Sequence, residues 1–134
     1  LMIVAVVLLE PENLFNLPRE NTRLWLLLCF SYPVFSAYIQ EVIYRSFLFS
    51  RYKPVFRKKY ILILISGLAF SFAHVAYYSI VSVLLTLLAG IYLAYVYSKT
   101  ESVLFTACIH SALGILVFTT GLGQHFWLNM EKYL

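Results

Sequence analysis

Charge is what this 134-residue chain has least of: 12% of its residues are Asp, Glu, Lys or Arg, while 62% are hydrophobic. A soluble domain carries about a quarter charged residues and sits near half apolar. With a mean hydropathy of +0.83, a water-soluble globule is excluded and the chain belongs in a bilayer. Alternating apolar and polar runs are also missing, which argues against a barrel, because only helices or closed barrels satisfy their backbone in lipid. Internal repeats and low-complexity segments are absent. Cysteine is scarce; Cys29 and Cys108 each lie inside an apolar segment and read as small buried hydrophobes rather than a disulfide. No signal peptide is visible. The chain opens on "LMIVAVVLL", which reads as the tail of a membrane helix, so the expectation is one domain over residues 1–134, truncated at its N terminus.

The net charge is +4, but five of the ten basic residues fall in the short stretch Arg51–Lys59. Nucleic acid is therefore not an expected partner, since the charge is not spread over a folded surface. The pattern is a topology signal that places Arg51–Lys59 in the cytoplasm, with contact to anionic lipid heads. The stretch Glu10–Arg23 holds three acids, two bases and two prolines, reads as a loop, and goes to the opposite side. Four apolar segments follow, at about Leu24–Phe49, Tyr60–Tyr78, Ile80–Tyr97 and Val103–Thr120. Each is long enough to cross a core of about 30 Å. Pro33 should kink the first. The tight "AYYS" turn makes the second and third antiparallel neighbours, "SKTES" joins the third to the fourth, and "GLGQ" ends the fourth. The expected fold is all-α: a polytopic transmembrane helical bundle of four complete spans plus an N-terminal partial span. The eleven Tyr and eleven Phe are read mainly as lipid-facing packing and interface anchors.

A charge at membrane depth costs a few kcal/mol even on insertion scales. Inside the spans the polar groups that stand out are Gln40, Glu41, Arg45, His74 and His110. Glu41 and Arg45 share a helix face and can pair; Arg45 also lies close enough to the basic loop to snorkel. Glu41 lies roughly 15 Å inside Arg51 by helix rise. His74 and His110 sit singly on apolar segments, where a histidine is more often a satisfied core residue than a base. Together, however, three titratable groups on three helices form the kind of set from which bundles build sites. A buried glutamate with one histidine can deprotonate water, and a second histidine can stabilise the tetrahedral intermediate. No serine or cysteine is an evident nucleophile, because Ser111 and His110 are helix neighbours and point apart. Two histidines and a carboxylate could also hold Zn²⁺, but no HExxH is present. No cofactor is expected, and zinc is the less favoured reading.

These residues stand in three motifs: Gln40-Glu41-Val42-Ile43-Tyr44-Arg45, then Phe70-Ser71-Phe72-Ala73-His74, then His110-Ser111-Ala112-Leu113-Gly114. They resemble EExxxR, FxxxH and HxxxN of the CPBP family of intramembrane proteases, the CAAX-protease and bacteriocin-processing group, also called the Abi domain. The flanks "SGLAFSFAH" and "YSKTESVLFTACIH" are similar too, and the likeness spans about Leu24–Trp127. The resemblance implies glutamate-dependent, metal-independent peptide hydrolysis inside a bacterial or archaeal plasma membrane. Its substrate would be a membrane-embedded or membrane-anchored protein or peptide. It further implies that Glu41 and His74 activate water, His110 helps form the oxyanion hole, and Arg45 holds the glutamate region. Two departures stand out. Gln40 occupies the position usually assigned as the catalytic base, and Gly114 replaces the motif's asparagine. With the following "TTGLGQHFW", they read as a branch of the family. His125-Phe126-Trp127-Leu128-Asn129 also fits HxxxN, but it lies past the helix-breaking "GLGQ" and is set aside as coincidence. Two other readings compete: a non-catalytic pseudoprotease serving as a membrane scaffold or a peptide-binding or immunity protein, and, ranked last, a small transporter using the same groups as a proton relay.

Overall fold

A computed structural model describes residues 2–56 and 58–127. Every regular element among them is a helix. Four are long and apolar enough to cross a membrane: a first span Thr22–Tyr52, a second Lys59–Tyr77, a third Ile80–Thr100 and a fourth Val103–Thr120. The protein is thus an all-α, membrane-spanning bundle. Ahead of the spans lies the helix Met2–Leu9, whose Val6 packs with Val117 and Leu122.

Three of the spans begin where a side-chain cap takes an unpaired helix N–H. Asn21 accepts from the Leu24 N–H, Ser79 from that of Ser82, and Ser102 from that of Phe105. The expected "SKTES" loop shrinks to Glu101 and Ser102, because Glu101 adopts a left-handed backbone (φ 49°) that ends one helix as Ser102 starts the next. The expected loop Glu10–Arg23 contains two helical pieces, Pro11–Asn13 and Asn16–Glu20. Past the fourth span, Leu122–Phe126 forms a short 3₁₀ turn that folds back on the bundle.

The second and third spans approach closely through glycine. A Cβ on Gly67 would lie 2.6 Å from Ile91, and one on Gly90 would lie 3.1 Å from the Gly67 backbone. In lipid such small-residue contacts replace the hydrophobic drive as the source of helix association. Hydrogen bonds reinforce the bundle: Ser71 Oγ donates to the Val83 carbonyl at 2.8 Å, and Trp25 Nε1 to Thr119 Oγ1 at 3.0 Å.

The first span is not a regular α-helix. Pro33–Tyr38 and Val42–Phe47 are π-helical, separated by the α-turn Ile39–Glu41. Pro33 has no N–H to continue the ladder, and the widening starts there. Cys29 is half-buried, but Cys108 is exposed on the fourth span, so only one of the two lies even partly inside the bundle.

Candidate functional site

Widening a helical turn by one residue rotates the remainder of the helix by about 100° relative to a regular one. The same angle separates Gln40 from Glu41. The π-turn that starts at Pro33 therefore changes which residue of the pair faces the bundle. Glu41 is fully buried, while Gln40 is only half-buried and donates from Nε2 to Ser36 Oγ at 2.8 Å. The Gln40 Oε1 is buried without a hydrogen-bond partner. The second π-turn also needs support. Ser66 Oγ, from the second span, donates to the Tyr44 carbonyl at 2.7 Å, as membrane helices require when their own ladder is interrupted.

Glu41 is clamped from both sides. His110 Nδ1 donates to Oε1 at 2.8 Å, and Arg45 Nε stands 3.0 Å from Oε2. Glu41 and Arg45 have 0% exposure and the His110 side chain 7%. The expected snorkelling of Arg45 does not occur. Its guanidinium turns inward, donates from Nη2 to the Gly90 carbonyl at 3.2 Å and lies 4.8 Å over the Phe70 ring. Pairing with Glu41 explains this: a carboxylate at this depth needs a counter-charge more than the arginine needs water. The close approach at Gly67 and Gly90 brings the accepting carbonyl within reach. Arg45 Nη1 remains buried and unpartnered.

His110 uses both ring nitrogens. A neutral imidazole has one N–H, and the carboxylate takes it from Nδ1, so Nε2 is the acceptor. The Tyr32 hydroxyl donates to it at 3.0 Å. Tyr32 was not singled out in the sequence. It lies just before Pro33 in the first span, and only its partners distinguish it from the other tyrosines. Gly114 makes its position available, since a Cβ there would fall within the Tyr32 ring edge and hydroxyl.

His74 is not bonded to Glu41. Its Nδ1 donates to the Phe70 carbonyl at 2.7 Å, which leaves Nε2 with a lone pair that no described residue uses. The two histidines meet instead on Phe70, whose ring lies 4.7 Å from His74 and 5.3 Å from His110. The ring contacts close into a circuit: His110 to Tyr32, Tyr32 to Phe118, Phe118 to Phe126, Phe126 to His74, and back through Phe70. Three spans and the C-terminal 3₁₀ turn contribute to it. Phe118, Phe126 and Tyr32 belong to the general aromatic load of the sequence, and fixed spacing gives no signal for them. Other aromatics do face outward as expected, Phe30 and Phe72 at 78% exposure each.

His125 occupies a separate place. Its Nδ1 lies 3.0 Å from Ser79 Oγ and its Nε2 lies 3.3 Å from Glu10 Oε1. Asn129, the last residue of that HxxxN fit, is outside the described residues.

Among the described residues, no three His, Cys, Asp or Glu side chains are grouped to share a metal ion. Glu41 Oε1 and both His110 nitrogens have hydrogen-bond partners, and Arg45 sets a positive charge beside Oε2.

A family model described as type II CAAX prenyl endopeptidase Rce1-like matches residues 22–116. No curated protein and no solved structure matches the chain.

Proposed function

The chain belongs to the Rce1-like family of type II CAAX prenyl endopeptidases, and from that premise we propose that it is an intramembrane endopeptidase acting by an activated water without a metal. The substrate is a membrane-associated protein or peptide, of the prenylated CAAX type that the family's description names. The observation that carries this reading is the buried Glu41–His110 pair, neutralised by Arg45, with a second imidazole, His74, on the same Phe70 ring. A carboxylate is costly at this depth, and a bundle that holds one between a guanidinium and an imidazole has a use for it.

The roles depend on which atoms are free. His74 Nε2 takes the proton of the attacking water and returns it to the leaving amine. Glu41 fixes the His110 tautomer by accepting from Nδ1, and the proton taken from water stays on His74 until the leaving amine receives it. Negative charge on the carbonyl oxygen is met by Arg45, whose Nη1 is a donor in reserve, since both His110 nitrogens are already engaged. Preorganised donors of this kind are worth about 10²–10³ in rate each. The aromatic circuit keeps bulk water from the cluster. The five basic residues of Arg51–Lys59 are what support a topology with that loop in the cytoplasm.

The test uses the purified full chain in detergent with a farnesylated peptide ending in a CAAX sequence. Cleavage is expected, and Glu41→Gln and His74→Ala should each abolish it. Undiminished cleavage by both variants rules the mechanism out. A second reading, a non-catalytic peptide-binding scaffold, draws on the closure of the site: Glu41 has 0% exposure and Gln40 stands at the adjacent motif position. It requires that Glu41→Gln, at normal abundance, leave the cellular phenotype of the parent intact.

A further inference from the structure

Two features of the fourth span and the first are unexplained by packing alone. Gly114 stands one turn beyond His110 on the fourth span. What crowds it is a side chain and not a backbone, because the three atoms nearest to a Cβ there belong to Tyr32. The Tyr32 hydroxyl lies 3.0 Å from His110 Nε2, the ring nitrogen that Glu41 does not engage. A phenylalanine would fill the same space and keep the edge contact with Phe118 at 5.8 Å between centroids. Packing therefore accounts for the ring and leaves the hydroxyl over.

We infer that Tyr32 is a positioning residue for His110, seated in space that Gly114 vacates, and that the two residues act as one unit. The chain of contacts runs Arg45–Glu41–His110–Tyr32, an ion pair followed by two hydrogen bonds, with each polar group of the imidazole engaged. Glu41 fixes one nitrogen. Without Tyr32 the ring could still turn about that bond and swing Nε2 out of line. The hydroxyl supplies the second point that fixes the plane, as outer partners do for other functional histidines. A side chain at position 114 would displace the ring and release His110. The two partners come from different spans, so Tyr32 also ties the first span, beside its Pro33 π-turn, to the fourth.

This inference rests on the hydrolase reading for its consequence in rate but not for its geometry, and the experiment separates the two. The full chain is purified in detergent with ¹⁵N-labelled histidine. Tyr32→Phe should move the His110 Nε2 resonance to the position of an unbonded acceptor while Nδ1 stays protonated. With the farnesylated CAAX peptide as probe, kcat should fall roughly tenfold with KM unchanged, the size of one buried hydrogen bond. Gly114→Ala should reproduce both changes. In a Tyr32→Ala background, which empties the space, adding Gly114→Ala should change neither spectrum nor stability further. An unmoved Nε2 resonance in Tyr32→Phe overturns the inference. So does a Gly114→Ala effect that is as large in the Tyr32→Ala background as in the parent. Failure of the parent to cleave the peptide removes the hydrolase reading instead, and the spectra still decide the role of Tyr32.

Discussion

Two histidines in this protein have the same kinds of partner. His110 hydrogen-bonds both the Glu41 carboxylate and the Tyr32 hydroxyl, and His125 pairs with the Ser79 hydroxyl and stands 3.3 Å from the Glu10 carboxylate without hydrogen-bond geometry. Their surroundings differ. The inner pair has side-chain exposures of 7% and 0%, the outer pair 18% and 29%. The inner carboxylate has a guanidinium at 3.0 Å. The outer one is shared with the amides of Asn13 and Gln124. In water a charge pair gains little, because solvent screens it and side-chain entropy opposes it. In a dry bundle the same pair is strong, and each member is costly alone. Identical chemistry therefore makes a fastening at the rim and a candidate reaction centre at the middle.

The widest gap between the two should appear on removal of the carboxylate charge. Glu41→Gln leaves Arg45 buried without a counter-charge and should cost about 3–5 kcal/mol of stability, besides abolishing cleavage. Glu10→Gln should cost no more than about 1 kcal/mol. Denaturant unfolding of both variants in the same detergent decides this, and equal losses would erase the distinction between rim and middle. Next in size, adding Arg45→Met to Glu41→Gln should recover about 1–3 kcal/mol, since an apolar side chain of similar volume removes the stranded charge. If the double variant is as unstable as the sum of the singles, the pair does not act as a unit.

Gly114→Ala sharpens the comparison at the hydroxyl end. It should cost about 1–3 kcal/mol, because the Tyr32 ring has nowhere to go without strain; a thermal melt that matches the parent would contradict the packing of Tyr32 against Gly114. Smallest of all is the salt effect at the rim. The cost of Glu10→Gln should shrink toward zero in about 1 M salt, where screening acts over about 3 Å. The cost of Glu41→Gln should persist. The exposed Lys53–Glu101 pair, at 3.7 Å, gives a control in which Lys53→Ala changes stability by less than about 1 kcal/mol.

Particular residues mark where reading the sequence stopped. The four spans were legible because a predominantly apolar run of that length has no other stable arrangement in lipid, and their ends moved by only a few residues where Ser102 and Glu101 cap more tightly than "SKTES" suggested. Glu41, Arg45, His74 and His110 were legible as anomalies, each a polar group where solvation is lost. Which of Gln40 and Glu41 faces inward was not legible, because a π-turn depends on what neighbouring helices offer the freed carbonyls, here Ser66 to Tyr44. Pairing Glu41 with His110 rather than His74 was also out of reach. Helices far apart in sequence set that distance, and periodicity within one span carries no information about it. Tyr32, Phe118 and Phe126 carried no mark at all, since aromatics are common throughout the chain.

Composition alone determined that this protein is a bundle of membrane helices and which side chains within it are out of place, because the cost of burying charge in lipid is a property of each residue by itself. The tertiary structure decided which of those side chains meet, that Arg45 turns inward, and that Gly114 gives its space to Tyr32. Those outcomes are properties of pairs, fixed by how closely two helices pack and how each turn is wound, and they arise only when the spans are assembled.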